Sequence, residues 1–216
     1  MKKSVGFVSA VIVTAIMAYA ASGYVSASSH SAELKQRAKT LIDTGKGAAT
    51  LGEDRLQLLL LVQDPAFYHH DGVDTKTAGA GLTTVTQSVS KRLAFNEFKP
   101  GIGKIRQTAY AIALERRLTK NEILALFLET VPMGKGPDGW TVSFFKASES
   151  FYGSPPHELS DSQFIQLVSV MIAPSLLNHM NRDKNFTERL NRINRLYNGE
   201  CLPKNNKDVL FEGCAT

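Results

Sequence analysis

Residues 119–131 read TKNEILALFLETV. Thr119 followed three places on by Glu122 is the reciprocal pair that opens a helix: the hydroxyl accepts one orphan N–H of the first turn and the carboxylate accepts that of the cap. The run from Ile123 to Leu128 is apolar on every face, which predicts a helix at the centre of a helical core and not on its rim. The same grammar recurs at Ser160-Asp161-Ser162-Gln163 before FIQLVSVMIA. Arg106 to Leu118 (RQTAYAIALERRL) and Thr187 to Tyr197 (TERLNRINRLY) carry apolar residues at helical spacing, the second stopped by Gly199. Gly and Pro place loops at Thr75 to Gly81, Asn96 to Gly103 and Gly134 to Trp140, and strand signals are nearly absent. The fold class is all-α, and 216 residues suffice for one sizeable core and not for two.

At the other end of the chain, Lys2 and Lys3 precede an uncharged stretch from Val5 to Val25, about 30 Å long as a helix and able to cross a bilayer. Small residues at Ala18-Tyr19-Ala20 and Val25-Ser26-Ala27 equally fit a signal peptidase, so anchor and cleaved signal both stand. In either case the positive residues stay in the cytoplasm and the domain faces outward. An oxidising compartment follows, in which Cys201 and Cys214 read as one disulfide; two free thiols are the alternative. The expected organisation is 1–27 anchor or signal, 28–198 the domain, with a first helix over Ala32 to Ile42, and 199–216 a C-terminal tail. A balance of 25 Lys and Arg against 20 Asp and Glu, without interleaved aromatic and basic residues, excludes nucleic acid as the expected partner. Two cysteines give no zinc spacing.

Four further stretches carry chemistry: QDPAFYHHDGVD (63–74), TTVTQSVSK (83–91), TAYAIALERRLTKNEILALFLETVPMGKGPDG (108–139) and SFYGSPPHELSDSQ (150–163). In this order they resemble the successive motifs of glycosyltransferase family 51, the peptidoglycan glycosyltransferase domains of class A penicillin-binding proteins and monofunctional transglycosylases. The resemblance covers roughly residues 50–195 and implies a lysozyme-like, two-lobed, all-α fold dipping into the outer leaflet of the cytoplasmic membrane. It implies lipid II, a disaccharide-peptide on undecaprenyl pyrophosphate, as substrate.

The resemblance also marks departures. Its first motif opens on Glu-Asp, the glutamate serving as base; here Gln63 stands there, followed by the matching Asp64, Phe67, His70, Gly72 and Asp74. Counted back from Thr119-Lys120, the second active-site glutamate falls on Gln107 and an expected arginine on Gly103; a third family glutamate falls on Gln163. An amide holds a sugar hydroxyl but has no proton-accepting state near neutrality, and losing a general base costs about a hundred- to ten-thousand-fold in rate. In the second motif Thr84, Thr86, Gln87 and Lys91 fit, while Ser88 and Arg92 replace glutamine and asparagine. A longer segment that the family carries between Asp74 and Gly81 is missing.

The expected catalytic positions are thus Gln63 and Gln107, with Asp64 as substitute base and Glu115 or Glu129 as further acids or bases. The expected substrate-binding residues are Thr84, Gln87, Ser88, Lys91 and Arg106, with Lys91 a point charge on the pyrophosphate. Each has a plainer alternative: Lys91 as a solvated helix lysine, Glu115 and Glu129 as ion-pair residues, Phe67 and Phe151 as core. His70 reads as a bridging residue, and adjacent His69 and His70 diverge too far to share a metal. Lys104, Arg106, Arg116 and Arg117 are divided between anionic head groups and ion pairs. No resident metal or cofactor is required, although the resemblance allows Mg²⁺ to assist the leaving group. Three readings follow: a largely inactive binder of a lipid-linked glycan or of a cell-wall synthase partner, a working glycosyltransferase, and a scaffold with an idle cleft.

Overall fold

The computed structural model describes residues 2–177 and 183–215, with side chains from Phe7 onward. Helix α1 (Lys2–Asp43) is one unbroken helix. The helix expected over Ala32 to Ile42 is the end of this longer one, so no break separates the apolar stretch from the domain. The serines there do not interrupt it, because Ser22, Ser29 and Ser31 donate back to the carbonyls of Tyr19, Ser26 and Ser28 within their own helix. Gly45, at φ 75°, ends the helix in the left-handed conformation that only glycine adopts cheaply.

Helices α2 (Glu53–Gln63), α3 (Val85–Ala94), α4 (Ile102–Arg117) and α5 (Lys120–Thr130) follow. The α5 prediction holds in detail: Thr119 and Glu122 form both bonds of the capping box, and Ile123 to Leu128 are all buried. A third capping box, Thr84 with Gln87, opens α3. Around α5 the core gathers Leu114 of α4, Leu59 of α2 and the rings of Phe144, Phe164 and Phe186. The α1 face of Gly23, Ala27, Leu34 and Ala38 lies over α4 and α5. Gly23 makes that approach possible, since a Cβ there would sit 2.5 Å from the carbonyl oxygen of Arg106.

The expected loop at Gly134 to Trp140 is instead a small antiparallel hairpin of β1 (Pro132–Gly136) and β2 (Gly139–Val142). Its sequence hides it: a strand reading PMGKG has neither alternation nor β-branched residues. Helices α6 (Phe144–Tyr152), α7 (Asp161–Ser169) and α8 (Lys184–Tyr197) complete the domain. Ser160 and Gln163 form the capping box predicted for α7, and Asp183 caps α8, which starts at Lys184, three residues before the expected Thr187. Beyond α8 the chain runs irregularly to a short 3₁₀ turn, Glu212–Cys214, with Cys201 and Cys214 joined as a disulfide.

Candidate functional site

The first motif folds into a buried polar knot below the surface of the cleft. Asp64 caps α2, is 0% exposed, lies 3.0 Å from His70 Nε2 with both carboxylate oxygens, and accepts the Val85 N–H at 2.9 Å. The Gly72 N–H donates to His70 Nδ1, so that nitrogen is the acceptor and Nε2 carries the hydrogen given to Asp64. Lys120 Nζ donates to the His70 carbonyl and to Glu115, and stands 4.5 Å from the centre of the Phe67 ring. Glu115 also accepts from the Thr86 hydroxyl. With every oxygen engaged and no exposure, Asp64 is a joint between α2 and α3 and does not fit its expected place as substitute base. Glu115 is likewise tied inside the knot, and Glu129 is paired with Arg37 at 2.7 Å.

Helix α3 is fixed on α4 by amides. Thr84 donates its hydroxyl to the Gly72 carbonyl and accepts the Gln87 N–H; Gln87 Nε2 donates to Thr108, and Gln87 Oε1 accepts from Lys104. Both Thr84 and Gln87 are buried, which places these expected substrate contacts under the cleft floor. Gln107 is 1% exposed and gives its Nε2 hydrogen to the Gln87 carbonyl at 2.7 Å. Arg106 turns away from the cleft: it donates to the Ala94 carbonyl, stacks 5.2 Å over Phe95 and forms the seat for Gly23 of α1. Gln163 is a capping residue of α7, away from the cleft. Where the resemblance puts an arginine, Gly103 is buried against the rings of Phe98 and Phe95.

What remains open is a cavity of about 500 Å³ that brings together Gln63, Thr83, Ser88, Lys91 and Arg92 with Trp140, Ser175 and the Gly79–Leu82 backbone. A wider groove of about 1520 Å³, with Phe95, Phe98, Lys46, Lys146 and Glu149 on its walls, shares Lys91 and Arg92 with it. The two cations therefore sit where cavity and groove meet, at the end of α3. Lys91 is exposed there, 5.7 Å from the Phe98 ring centre. Arg92 donates Nε to Thr130 and lies 5.1 Å over Phe127, while its buried Nη2 has no partner among the described residues. The amide nitrogen of Gln63 is also unpartnered. Among the described residues no Asp or Glu lines the smaller cavity.

Burial and, after it, the neighbouring positive charge are both registered in the lysines. Burial, then the neighbouring Arg92, lowers Lys91; burial, then Lys91, lowers Lys104 to about 8. Burial alone pushes the Arg92 guanidinium down. The cavity does not fit a divalent cation held by the protein: among the described residues it offers amide, hydroxyls and two cations, and no carboxylate. Among the described residues no cluster of three or more His, Cys, Asp or Glu side chains is placed to hold a metal.

A family model described as "Transglycosylase" matches residues 32–197, from the second half of α1 to the end of α8. The chain belongs to the transglycosylase family. It is similar to penicillin-binding protein 1A of Pseudomonas aeruginosa, 30% identical over 158 residues, 67% of this chain and 19% of that one. It is also similar to penicillin-binding protein 1B of Escherichia coli, 29% identical over 151 residues, 64% and 18% of the two chains. Penicillin-binding protein 4 of Bacillus subtilis matches at 27% over 154 residues, 64% and 24%. The matched part is less than a quarter of the length of each of these relatives. Of the residues expected at the site, Gln63, Ser88 and Lys91 line the cavity. Sequence reading missed Arg92 as a cleft cation, although its place beside Lys91 on α3 was a usable signal.

Proposed function

We propose that this transglycosylase domain binds lipid II, or a related undecaprenyl-pyrophosphate glycan, at the outer face of the cytoplasmic membrane and polymerises it little or not at all. The observation that carries this reading is the composition of the cavity: two cations, one amide and several hydroxyls, without a carboxylate. Lys91 and the unpartnered Arg92 nitrogen suit a pyrophosphate, which needs fixed positive charge. Gln63, Thr83 and Ser88 suit sugar hydroxyls and amides. Deprotonating an acceptor hydroxyl would require a base at hydrogen-bond distance; Asp64 and Glu115 are spent on the fold, Glu129 is paired with Arg37, and Glu149 lines the outer groove and not the cavity.

The exposed apolar residues Phe7 to Met17 of α1 support membrane anchorage, and the docking of Gly23 and Ala27 on α4 supports a retained anchor in preference to a removed signal. Lipid capture without polymer formation would suit delivery of substrate to a cell-wall synthase partner. The test incubates the full chain in detergent with fluorescent lipid II and reads binding and polymer separately. Lys91→Ala should weaken binding about tenfold, while Lys184→Ala, whose side chain is 89% exposed, leaves it unchanged. Equal effects of the two would reduce Lys91 to a surface lysine, and efficient polymer from the unmodified chain would overturn the inactive reading.

A further inference from the structure

The segment after α8, ECLPKNNKDVLFEGCA (200–215), lies outside the region matched to the transglycosylase family. It has no regular pattern, yet it is closely held. The Cys201–Cys214 disulfide closes it into a loop. Inside that loop the Asp208 carboxylate collects the N–H groups of Lys204, Glu212 and Gly213. Burial alone would raise this group, but the three backbone donors outweigh it and hold it below the usual carboxylate range. On one side the loop is fastened to α8: buried Arg189 donates to the Val209 carbonyl and lies 4.2 Å over the Phe211 ring, Arg195 donates to the Cys214 carbonyl, and Arg192 pairs with Glu212 at 2.6 Å.

Its other side grips the cleft. Gly79 and Gly81 donate their N–H groups to the carbonyls of Asn205 and Asn206, and Asn206 Nδ2 donates to the Thr77 carbonyl. Both glycines have positive φ, 78° and 73°. A Cβ at Gly79 would stand 2.8 Å from Pro203 Cγ, and one at Gly81 would stand 2.6 Å from Val209 Cγ1. The two segments fit each other without room for a methyl group. Val209 then faces the cavity itself, together with Gly79, Ala80, Gly81 and Leu82.

We propose that the disulfide-closed segment 200–215 is a clamp that holds the Gly79–Leu82 backbone as one wall of the binding cavity and supplies Val209 as part of that wall. It stands where the chain between Asp74 and Gly81 is too short to form a wall alone. The ligand half of this inference rests on the reading of the cleft as a lipid-linked glycan site; the clamp half does not. Because the wall depends on a disulfide, its integrity is tied to an oxidising environment.

The experiment uses the full chain in detergent and has two arms. In hydrogen exchange, reduction or the Cys201→Ser/Cys214→Ser pair should speed the Gly79 and Gly81 amides about tenfold or more while α5 stays protected. In binding, Val209→Trp, which keeps the disulfide and enlarges the wall, should weaken fluorescent lipid II about tenfold. Unchanged exchange at Gly79 and Gly81 after reduction overturns the clamp. Undiminished lipid binding by both Val209→Trp and the reduced protein overturns the wall. If the unmodified chain takes up no lipid II, the reading of the cleft falls, and exchange alone then upholds or overturns the clamp.

Discussion

The side-chain nitrogen of Gln107 lies 2.7 Å from the main-chain carbonyl oxygen of Gln87, in a place that is 1% exposed. The amide hydrogen is needed there, because a carbonyl only accepts. A glutamate at this position can make the same bond only when protonated. Its carboxyl would therefore have a raised pKa in the folded chain, and the sign of the consequence follows. Below the unfolded value of about 4.3 both states hold the proton and the substitution costs little; the cost grows as pH rises and is complete above the folded pKa. Gln107→Glu should melt close to the parent at pH 4 and lose on the order of 2–3 kcal/mol at pH 7.5. Thermal unfolding at the two pH values checks it, and an equal deficit at both would show that the Gln87 carbonyl is not the reason.

Arg92 presents the opposite case, a buried donor that the fold leaves without an acceptor. A desolvated cation without a counter-charge costs stability, so replacing it by an apolar chain of similar length relieves the cost. Arg92→Met should raise the melting temperature by about 2–4 °C and weaken lipid II or pyrophosphate binding about tenfold. Calorimetry with and without inorganic pyrophosphate decides it. A fall in both stability and pyrophosphate response would instead make Arg92 a strut holding Thr130 and Phe127.

Lys104 gives the cleft a pH dependence. Its ammonium reaches the Leu82 carbonyl, the Thr83 hydroxyl and Gln87 Oε1, and its folded pKa of about 8 lies below the ordinary 10.5. The charged form is thus penalised by folding, the penalty being fully present below about pH 8 and relieved between there and 10.5, while the charge itself is lost around pH 8. The positive field beside Lys91 fades with that charge. Pyrophosphate-lipid affinity should fall several-fold between pH 7 and pH 9 with a midpoint near 8, and Lys104→Gln should flatten the curve at its high-pH level. A flat profile in the unmodified protein excludes Lys104 from the field of the site.

The helices were legible because their signals are local. Capping boxes at Thr119 and Ser160 and the apolar run of α5 all act within a few residues, and the structure reproduces them. The departures at the cleft mostly involve partners far apart in sequence. Gln87 looked like a sugar ligand because Lys104 and Thr108, which hold its side chain, lie well over a turn of helix away in the chain; its capping box with Thr84 was a local signal that went unused. Arg106 looked like a cleft cation because α1, which covers it, lies more than sixty residues earlier in the chain. The clamp was legible as a disulfide but not as a wall, since only the fold brings Val209 to Gly81.

Gln63 differs from Gln107 in a way that separates their consequences. It ends α2 at the cavity wall, half-buried, and its amide nitrogen has no protein partner, so the fold does not depend on its hydrogens. A glutamate there would face Lys91 and Arg92, opposite charges that favour its ionised, proton-accepting form. Gln63→Glu should fold with a melting temperature within about 2 °C of the parent and yield short glycan chains from lipid II, read on a gel. The yield stays partial, because Gly103 packs against Phe98 where the resemblance places an arginine and the segment before Gly81 is short. Adding Gln107→Glu should lower the yield at neutral pH, since its cost falls on the joint between α3 and α4. The contrary pattern, no polymer from Gln63→Glu alone and polymer from the double variant, would mean that the missing carboxylate is the one at 107 and that the buried amide conceals a lost catalytic position.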